Sequence, residues 1–116
     1  GIYCRESATP IISYNTISNN TGYGILIDNN FGNLVNPDIG NEYPSEGQSA
    51  GWNKIIGNKN YGIYNKTNHK INAESNWWGD TKGPLWSGNT TTAGDRVYWD
   101  VADGIINFFP WLSVAP

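Results

Sequence analysis

The chain has 116 residues, of which 15% are charged, and its formal net charge is −3. This balance leaves no basic stripe to neutralise phosphates, which argues against a nucleic-acid partner. The sequence also has no run of about 18 apolar residues that would insert into a membrane. Asparagine (17 residues) and glycine (14 residues) dominate the composition. Both favour turns and left-handed backbone positions, so long helices are not expected.

A short strand is predicted at the start of the chain, and its sequence recurs twice. The tripeptide Gly-Ile-Tyr or Gly-Ile-Leu begins at Gly1, Gly24 and Gly62, at intervals of 23 and then 38 residues. A second series has the same two intervals in the opposite order, and its members are Asn15, Asn53 and Asn76. The two series together indicate an internal repeat of about 23 residues, with an insertion in the middle copy.

The length and content of the repeat predict its architecture. Each apolar element is only two to five residues long, too short for a helical repeat. Only four leucines occur, so the framework of a leucine-rich repeat is missing. Short strands separated by Asn- and Gly-rich turns are typical of one coil of a single-stranded parallel β-helix. We therefore expect an all-β solenoid of about three coils over residues 1–78, with a protruding loop at about residues 29–48.

Equivalent residues of successive coils are expected to lie one above another. A single coil leaves its apolar face bare, and stacking makes the core continuous. Stacked carboxamides can hydrogen bond to one another and to the turn backbone. The predicted internal stacks are Ile2, Ile25 and Ile63, and Ile17, Ile55 and Trp78, and the predicted carboxamide ladder is Asn15, Asn53 and Asn76.

After Asn76 the repeat is interrupted, and residues 79–116 are predicted to form a C-terminal capping segment rich in aromatic residues. A solenoid ends in an apolar cross-section and an unpaired strand edge, and both need to be covered. We expect Trp78, Phe109 and Trp111 to be largely buried there.

Four motifs around this boundary resemble a known family. They are Asn76-Trp77-Trp78-Gly79, Gly83-Pro84, Gly94-Asp95-Arg96-Val97 and Phe108-Phe109-Pro110-Trp111-Leu112. In this order they look like the C-terminal end of many secreted right-handed parallel β-helix repeat proteins. The segment Asn36-Pro37-Asp38-Ile39-Gly40 is similar to a loop of such proteins. The resemblance covers essentially the whole chain, and it implies a secreted or surface-anchored prokaryotic protein that handles carbohydrate or forms a stalk.

No constellation of residues predicts catalysis, a metal site or a cofactor. A resemblance to polysaccharide lyases of the β-helix class would imply a site with a basic residue beside a calcium ion that several Asp hold. No Lys or Arg in this sequence has such a setting. A glycosidase needs two carboxylates about 5–10 Å apart. The side chains that qualify by residue type are expected instead in turns and caps, and they are Asp28, Asp80, Asp95, Asp100 and Asp103.

Aromatic residues and sequons are the remaining candidate sites. Tyr and Trp faces stack on sugar rings, and Asn amides pair with hydroxyls. The candidate carbohydrate contacts are Tyr61, Tyr64, Trp86 and Trp99. Packing of these rings on the cap or under the long loop is the alternative. Three Asn-x-Thr sequons mark candidate glycosylation sites at Asn19, Asn65 and Asn89.

The sequence favours a non-catalytic structural or adhesive module that is extracellular or on the cell surface. Its start, Gly1-Ile2-Tyr3-Cys4, reads like the middle of a fold and has no signal peptide, so we expect a fragment or a processed chain. The uncapped first strand is expected to be covered by upstream coils or by self-association, for example in a head-to-tail filament. The alternatives are a module that binds polysaccharide and a fragment of a polysaccharide lyase or glycosidase.

Overall fold

The regular structure consists of short strands, as expected for segments rich in Ile, Tyr and Thr between Asn and Gly turns. A computed structural model describes residues 1–29, 34–88, 90 and 94–116. A 3-10 helix at Ala102–Gly104 is the one helical element among these residues. The strands are β1 (Ile2–Cys4), β2 (Thr16–Ser18), β3 (Tyr23–Ile27), β4 (Lys54–Ile56), β5 (Tyr61–Asn65), β6 (Ile71–Asn72), β7 (Pro84–Leu85), β8 (Gly94–Trp99) and β9 (Ile106–Asn107).

The strands form three parallel sheets, which confirms the all-β prediction. The largest, called the main sheet below, has the order β1-β3-β5-β8-β7, and the other two pair β2 with β4 and β6 with β9. Isolated parallel bridges extend the two smaller sheets. Parallel partners cannot be joined by a tight hairpin. The chain therefore leaves the main sheet, passes through the other two and returns at a later strand, which is β3 after β1, β5 after β3, and the edge strand β7 followed by β8 after β5.

The predicted apolar stacks are confirmed by the strand register. Ile2 pairs with Ile25 and Ile25 with Ile63, and the column continues to Val97. In the second stack Ile17 pairs with Ile55, and the Ile55 N–H donates to the Trp77 carbonyl at 2.8 Å, so Trp78 is the next residue in the column. The core is thus a set of columns in which each side chain lies on its equivalent in the neighbouring strand.

The predicted carboxamide ladder is also confirmed. Asn15 donates its backbone N–H to Asn53 Oδ1 at 2.9 Å, and Asn53 donates its backbone N–H to Asn76 Oδ1 at 3.0 Å. The Nδ2 group of Asn53 reaches Asn76 Oδ1 at 2.8 Å and the carbonyls of Ile12 and Ile39. Asn53 and Asn76 are fully buried, so these bonds satisfy groups that would otherwise be buried unpaired.

Each asparagine of this ladder follows a residue in the left-handed region. The φ angles of these preceding residues lie close to 60°, at Tyr14, Trp52 and Ser75. Non-glycine residues rarely adopt this conformation. The hydrogen bonds of the following asparagine hold the turn in place at each level.

A second ladder was not predicted. Asn20 donates its Nδ2 group to Asn58 Oδ1 at 2.8 Å, and Asn58 donates its own to Asp95 Oδ2 at 2.7 Å. Asp95 is acceptor-only when ionised, so the donor chain ends there. The ladder also explains the glycine of Tyr-Gly-Ile. A Cβ atom on Gly24 would lie 2.6 Å from the Gly62 carbonyl oxygen and 2.9 Å from Asn58 Nδ2.

The predicted protruding loop at residues 29–48 is wrong for its central part. Val35 and Ile39 are fully buried, and parallel bridges join Ile11 to Asp38 and Gly40 to Ala73. Neighbouring strands lie about 4.8 Å apart, so without this segment the backbone around Ile11 would lack a partner at the next level. Residues around Ile39 are therefore part of the stack, and residues 42–48 after them are exposed.

The parallel pairing also continues beyond residue 78, where the sequence predicted only a cap. β8 pairs with β5 and β9 pairs with β6, with Ile71 opposite Ile106. The inserted segment after Trp78 obscured this further level, because it changes the interval between equivalent residues. Residues 110–112 then cover the end, where Ser75 donates to the Pro110 carbonyl and Leu112 donates to the Asn76 carbonyl.

The aromatic residues at the C-terminal end of the stack are not all buried in the way that the sequence predicted. Trp78 is fully buried, as predicted, and its Nε1–H finds no acceptor among the described residues. Trp111 is partly buried against the core. The prediction for Phe109 is wrong, because its side chain is 66% exposed and Phe108 is buried instead. Side chains alternate along extended backbone, and the inward positions of Ile106 and Phe108 leave Phe109 outside.

We predict that Ile25→Asp lowers the free energy of unfolding by about 4 kcal/mol or more, because it places an unpaired carboxylate in the central core column. Leu26→Asp is the matched control, since Leu26 is next in sequence but lies on the half-buried outer face. Urea denaturation followed by tryptophan fluorescence measures both. Equal losses in the two variants would contradict the register.

We predict that Trp78→Ala lowers the free energy of unfolding by about 3–5 kcal/mol, the range for deleting a buried aromatic side chain. Phe109→Ala should change it by no more than about 1 kcal/mol, since Phe109 is mainly exposed. The same denaturation experiment compares the two, and a larger effect at Phe109 would show that a different aromatic residue covers the end.

Candidate functional site

Two of the four predicted carbohydrate contacts, Tyr61 and Tyr64, lie on the outer face of the main sheet. Both are on β5, and the register brings two further tyrosines beside them. Tyr23 of β3 pairs with Tyr61, and Tyr98 of β8 pairs with Tyr64. The four rings make one cluster, which we call the tyrosine cluster.

The tyrosine cluster contains a stack of three rings with the fourth ring across it. Tyr61 lies between Tyr23 and Tyr98, with centroid distances of 5.6 and 5.1 Å and interplanar angles of 8° and 12°. Tyr64 meets all three edge-on, at centroid distances of 5.1 to 5.5 Å. Offset-stacked and edge-to-face pairs of this kind stabilise a fold by about 0.5–1.5 kcal/mol each beyond the area that they bury.

This packing decides whether the Tyr61 ring can serve as a stacking surface for a sugar. Both faces of its ring are used by Tyr23 and Tyr98, so the Tyr61 ring has no free face on which a sugar could stack. Tyr23 and Tyr98 are the two outer rings of the stack, so each has one ring face that Tyr61 does not cover. Tyr98 is the most exposed member of the cluster, at 42%.

Tyr64 is held from its hydroxyl end as well. Its O–H donates to Asp100 Oδ1 at 2.7 Å, and Lys66 Nζ lies 5.9 Å from the ring centroid. The hydrogen bond to Asp100 raises the pKa of the Tyr64 hydroxyl well above its usual value, and desolvation and the negative charge of Asp100 act in the same direction. Tyr64 is therefore a fixed part of the sheet surface.

The other two predicted contacts, Trp86 and Trp99, do not join the tyrosine cluster. Both are partly buried and pack against the hydrophobic core, and the Trp86 ring lies 5.4 Å from that of Phe108. Trp86 also lines a shallow hollow of ≈ 220 Å³ beside Tyr98. The structure therefore separates the four residues into two on the outer sheet face and two whose main contacts are with the core.

A cleft of ≈ 580 Å³ borders the tyrosine cluster, and we call it the Tyr61 cleft. It is lined by Tyr23, residues 58–61, Leu85 and residues 94–96. The second ladder forms part of its wall through Asn58 and Asp95. Turn residues 59–60 lie between β4 and β5, and Leu85 comes from β7. The cleft thus exists because β7 and the start of β8 come to lie beside the turn that precedes Tyr61.

The Asp95 carboxylate in the wall of the cleft is hydrogen bonded to other residues of the chain. Asp95 accepts the backbone N–H of Gly57 at 2.8 Å on Oδ1 and that of Asn58 at 3.0 Å on Oδ2. Burial raises the pKa of Asp95, while these hydrogen bonds and the Asn58 side chain act in the opposite direction. Asp95 therefore acts as the last level of a ladder.

The predicted glycosylation sites lie in different environments. Asn19 is exposed. Asn65 is fully buried, its Nδ2 group donates to the carbonyls of His69 and Gly104, and its Oδ1 accepts from Thr67. Both the Asn and the Thr of this sequon are thus internal in the folded chain, so Asn65 has no accessible amide. Asn89 lies outside the described residues.

Within the described parts of the chain, no three His, Cys, Asp or Glu side chains are grouped as a metal site would require. No helix in those parts is long and apolar enough to cross a membrane.

Sequence reasoning missed Tyr98 and the Asn58–Asp95 pair. The interval between Asn20 and Asn58 is 38 residues, the same as that of the recognised series, so the first step of the second ladder could have been found. The last member of the second ladder, Asp95, is an aspartate rather than an asparagine. The inserted segment after Trp78 also precedes it and changes the interval, so this step gave no periodic signal. The same insertion separates Tyr98 from the tyrosines that it contacts.

The chain matches no known protein-family model, no curated protein and no solved structure.

We predict that Tyr64 ionises well above the usual pH for a tyrosine, as followed by absorbance of tyrosinate. Because its folded-state pKa is raised, the stabilisation from the Tyr64–Asp100 contact is complete below about pH 10 and is lost as the pH rises through the folded-state pKa. Asp100→Asn should move this late step to lower pH, and Asp103→Asn should not. Identical titration curves for the wild type and Asp100→Asn would contradict the prediction.

Proposed function

We propose that the chain is a right-handed parallel β-helix that serves as a structural or adhesive module outside the cell or on its surface. Three features support the fold. Every strand pair in the described residues is parallel, the chain visits the three sheets in rotation, and equivalent residues stack in columns. Parallel crossover connections are right-handed in about 98% of cases, which supports the handedness.

A structural role is supported by how the acidic residues are used. Asp38 accepts from Asn41 Nδ2 at 2.8 Å and from the Ser49 N–H at 2.9 Å. Asp95 closes a ladder, and Asp100 holds Tyr64. These carboxylates accept hydrogen bonds that hold turns and an aromatic ring in place, which favours a structural role for them. The location outside the cell rests on the motif resemblance of residues 76–79 and 108–112 to secreted proteins of this architecture.

The position of β1 at the edge of the main sheet, together with the first ladder, carries the proposal for assembly. β1 is the terminal strand of that sheet, and its pairing among the described residues is with β3. Beside it a hollow of ≈ 310 Å³ is lined by Gly1, Ile2, residues 15–18 and Asn20. The Asn15 Oδ1 atom accepts no hydrogen bond from the described residues, whereas the corresponding atom of Asn53 accepts two. A strand at the edge of a sheet, beside a ladder acceptor that takes no donor from the described residues, favours pairing with another strand.

We propose that, in the 116-residue chain by itself, this strand comes from a second copy. At the opposite end of the main sheet β7 has only two residues, one of which is Pro84 without an N–H, and residues 110–112 cover the neighbouring edge. A head-to-tail filament needs two free ends, whereas one free edge favours a two-fold dimer in which β1 pairs with its own copy.

Sedimentation tests the proposal. We expect the wild type to dimerise with increasing concentration and Thr16→Lys to remain monomeric, because the variant places a charge on the exposed strand beside the open edge. Thr81→Lys adds the same charge at an exposed turn away from this edge and should leave dimerisation unchanged.

Two results would contradict this assembly. One is a wild-type monomer at every concentration, with the amides of β1 exchanging freely. The other is the formation of fibres, which would favour the head-to-tail arrangement.

Carbohydrate binding is the second candidate function, and the Tyr61 cleft favours it. The outer face of Tyr23 is not covered by another ring of the tyrosine cluster, and the Asn60 carboxamide makes no hydrogen bond within the described residues. An aromatic face and free amide groups in one concave site suit sugar rings and their hydroxyls.

A further inference from the structure

The Tyr61 cleft brings together two cationic side chains that form no ion pair with any described residue. Lys59 and Arg96 both line it and both are exposed. The ion pairs among the described residues are Arg5 with Glu6 and Lys66 with Asp28, so neither cation of the cleft is neutralised by an ion pair. In a chain with seven Lys and Arg and a net charge of −3, two unpaired cations at one cleft form a local positive site.

The Asp95 carboxylate also lines the cleft, and it forms no ion pair with Lys59 or Arg96. Its Oδ1 is engaged by the Gly57 N–H, and its Oδ2 by the N–H and Nδ2 groups of Asn58, all within 3.0 Å. Both oxygens are thus used by the turn between β4 and β5. The lining carries two cations and one carboxylate, so its net charge remains positive and can attract an anionic group from outside the protein.

The other free groups of the cleft suit a hydroxyl-rich ligand. The side chain of Asn60 and the hydroxyls of Tyr23 and Tyr61 make no hydrogen bonds among the described residues, and all three residues line the cleft. Leu85 supplies an apolar contact. A small inorganic anion would use only the cations, whereas a saccharide would also use the amide, the phenols and the outer face of Tyr23.

We propose that the Tyr61 cleft binds an oligosaccharide that carries a carboxylate, as in a uronic acid, with the carboxylate held by Arg96 and Lys59. The planar guanidinium matches a carboxylate in a two-point contact, and the ammonium of Lys59 adds a second positive charge. The volume of ≈ 580 Å³ lies within the range of about 300–1,000 Å³ for small-molecule sites. This inference rests on the carbohydrate-binding candidate and is independent of dimerisation through β1.

The experiment compares two probes of equal length, a galacturonate trimer and the neutral galactose trimer, by titration of the ¹⁵N-labelled chain. We expect the galacturonate trimer to shift the amides of residues 58–61 and 94–96, to bind at least about tenfold more tightly than the neutral trimer, and to weaken as salt is added.

Variants locate the interaction. Lys59→Gln combined with Arg96→Gln should weaken galacturonate binding at least about tenfold. Arg5→Gln combined with Lys70→Gln removes the same charge from exposed positions outside the cleft and should retain binding. Circular dichroism confirms that both pairs fold, which is expected because Lys59 and Arg96 make no side-chain hydrogen bond or ion pair among the described residues.

Each contrary outcome overturns a distinct claim. Equal binding of both trimers at the cleft would keep carbohydrate binding but overturn recognition of the carboxylate. Equal weakening in both double variants, or shifts at other residues, would overturn the assigned site. Binding of neither trimer would overturn this inference together with the carbohydrate-binding candidate, and it would leave the structural proposal standing.

Discussion

In-register parallel pairing is the constraint on which the rest of this structure depends. Strands about 4.8 Å apart bring each side chain onto its equivalent in the next level, so each column must hold compatible groups. Inside, Ile25 and Ile63 stack with Val97 at the end of the column. At the turns, carboxamides stack because an amide can donate to the level on one side and accept from the level on the other. The same spacing outside the core brings tyrosine rings to centroid distances of 5.1 to 5.6 Å.

The ladders have a direction, and their ends differ chemically. Asn20 donates to Asn58 and Asn58 donates to Asp95, whose carboxylate has no N–H with which to continue the side-chain ladder. In the first ladder Asn76 turns its Nδ2 group to the carbonyls of Ile39 and Ala73. At the opposite end, the oxygen of Asn15 still has room for a donor. This asymmetry, together with the position of β1 at the edge of the main sheet, is why we propose that the two ends have different roles.

Interruptions of the repeat produce the candidate binding surface. A uniform stack would have a continuous outer face, but the segment between Trp78 and β8 brings Leu85 and Arg96 beside the turn that precedes Tyr61. The Tyr61 cleft lies at this junction. The ring stack beside it supplies rigidity, since Tyr61 is packed on both faces and Tyr64 is hydrogen bonded to Asp100. The polar groups of the cleft that make no side-chain hydrogen bond among the described residues are those of Lys59, Asn60 and Arg96 and the hydroxyls of Tyr23 and Tyr61.

The sequence by itself determined the parts of this protein that depend on equal spacing. The intervals of 23 and 38 residues predicted the stacks of Ile25 and Ile63 and the ladder of Asn53 and Asn76, because identical residues in register reinforce one another. The tertiary structure decided what the insertions do. It placed Ile39 in a sheet, added β8 as a further strand, exposed Phe109 and buried Asn65. A change of interval removes the periodic signal, and only the packing of the chain against strands already formed determines which inserted residues pair, which become buried and which come together at the Tyr61 cleft.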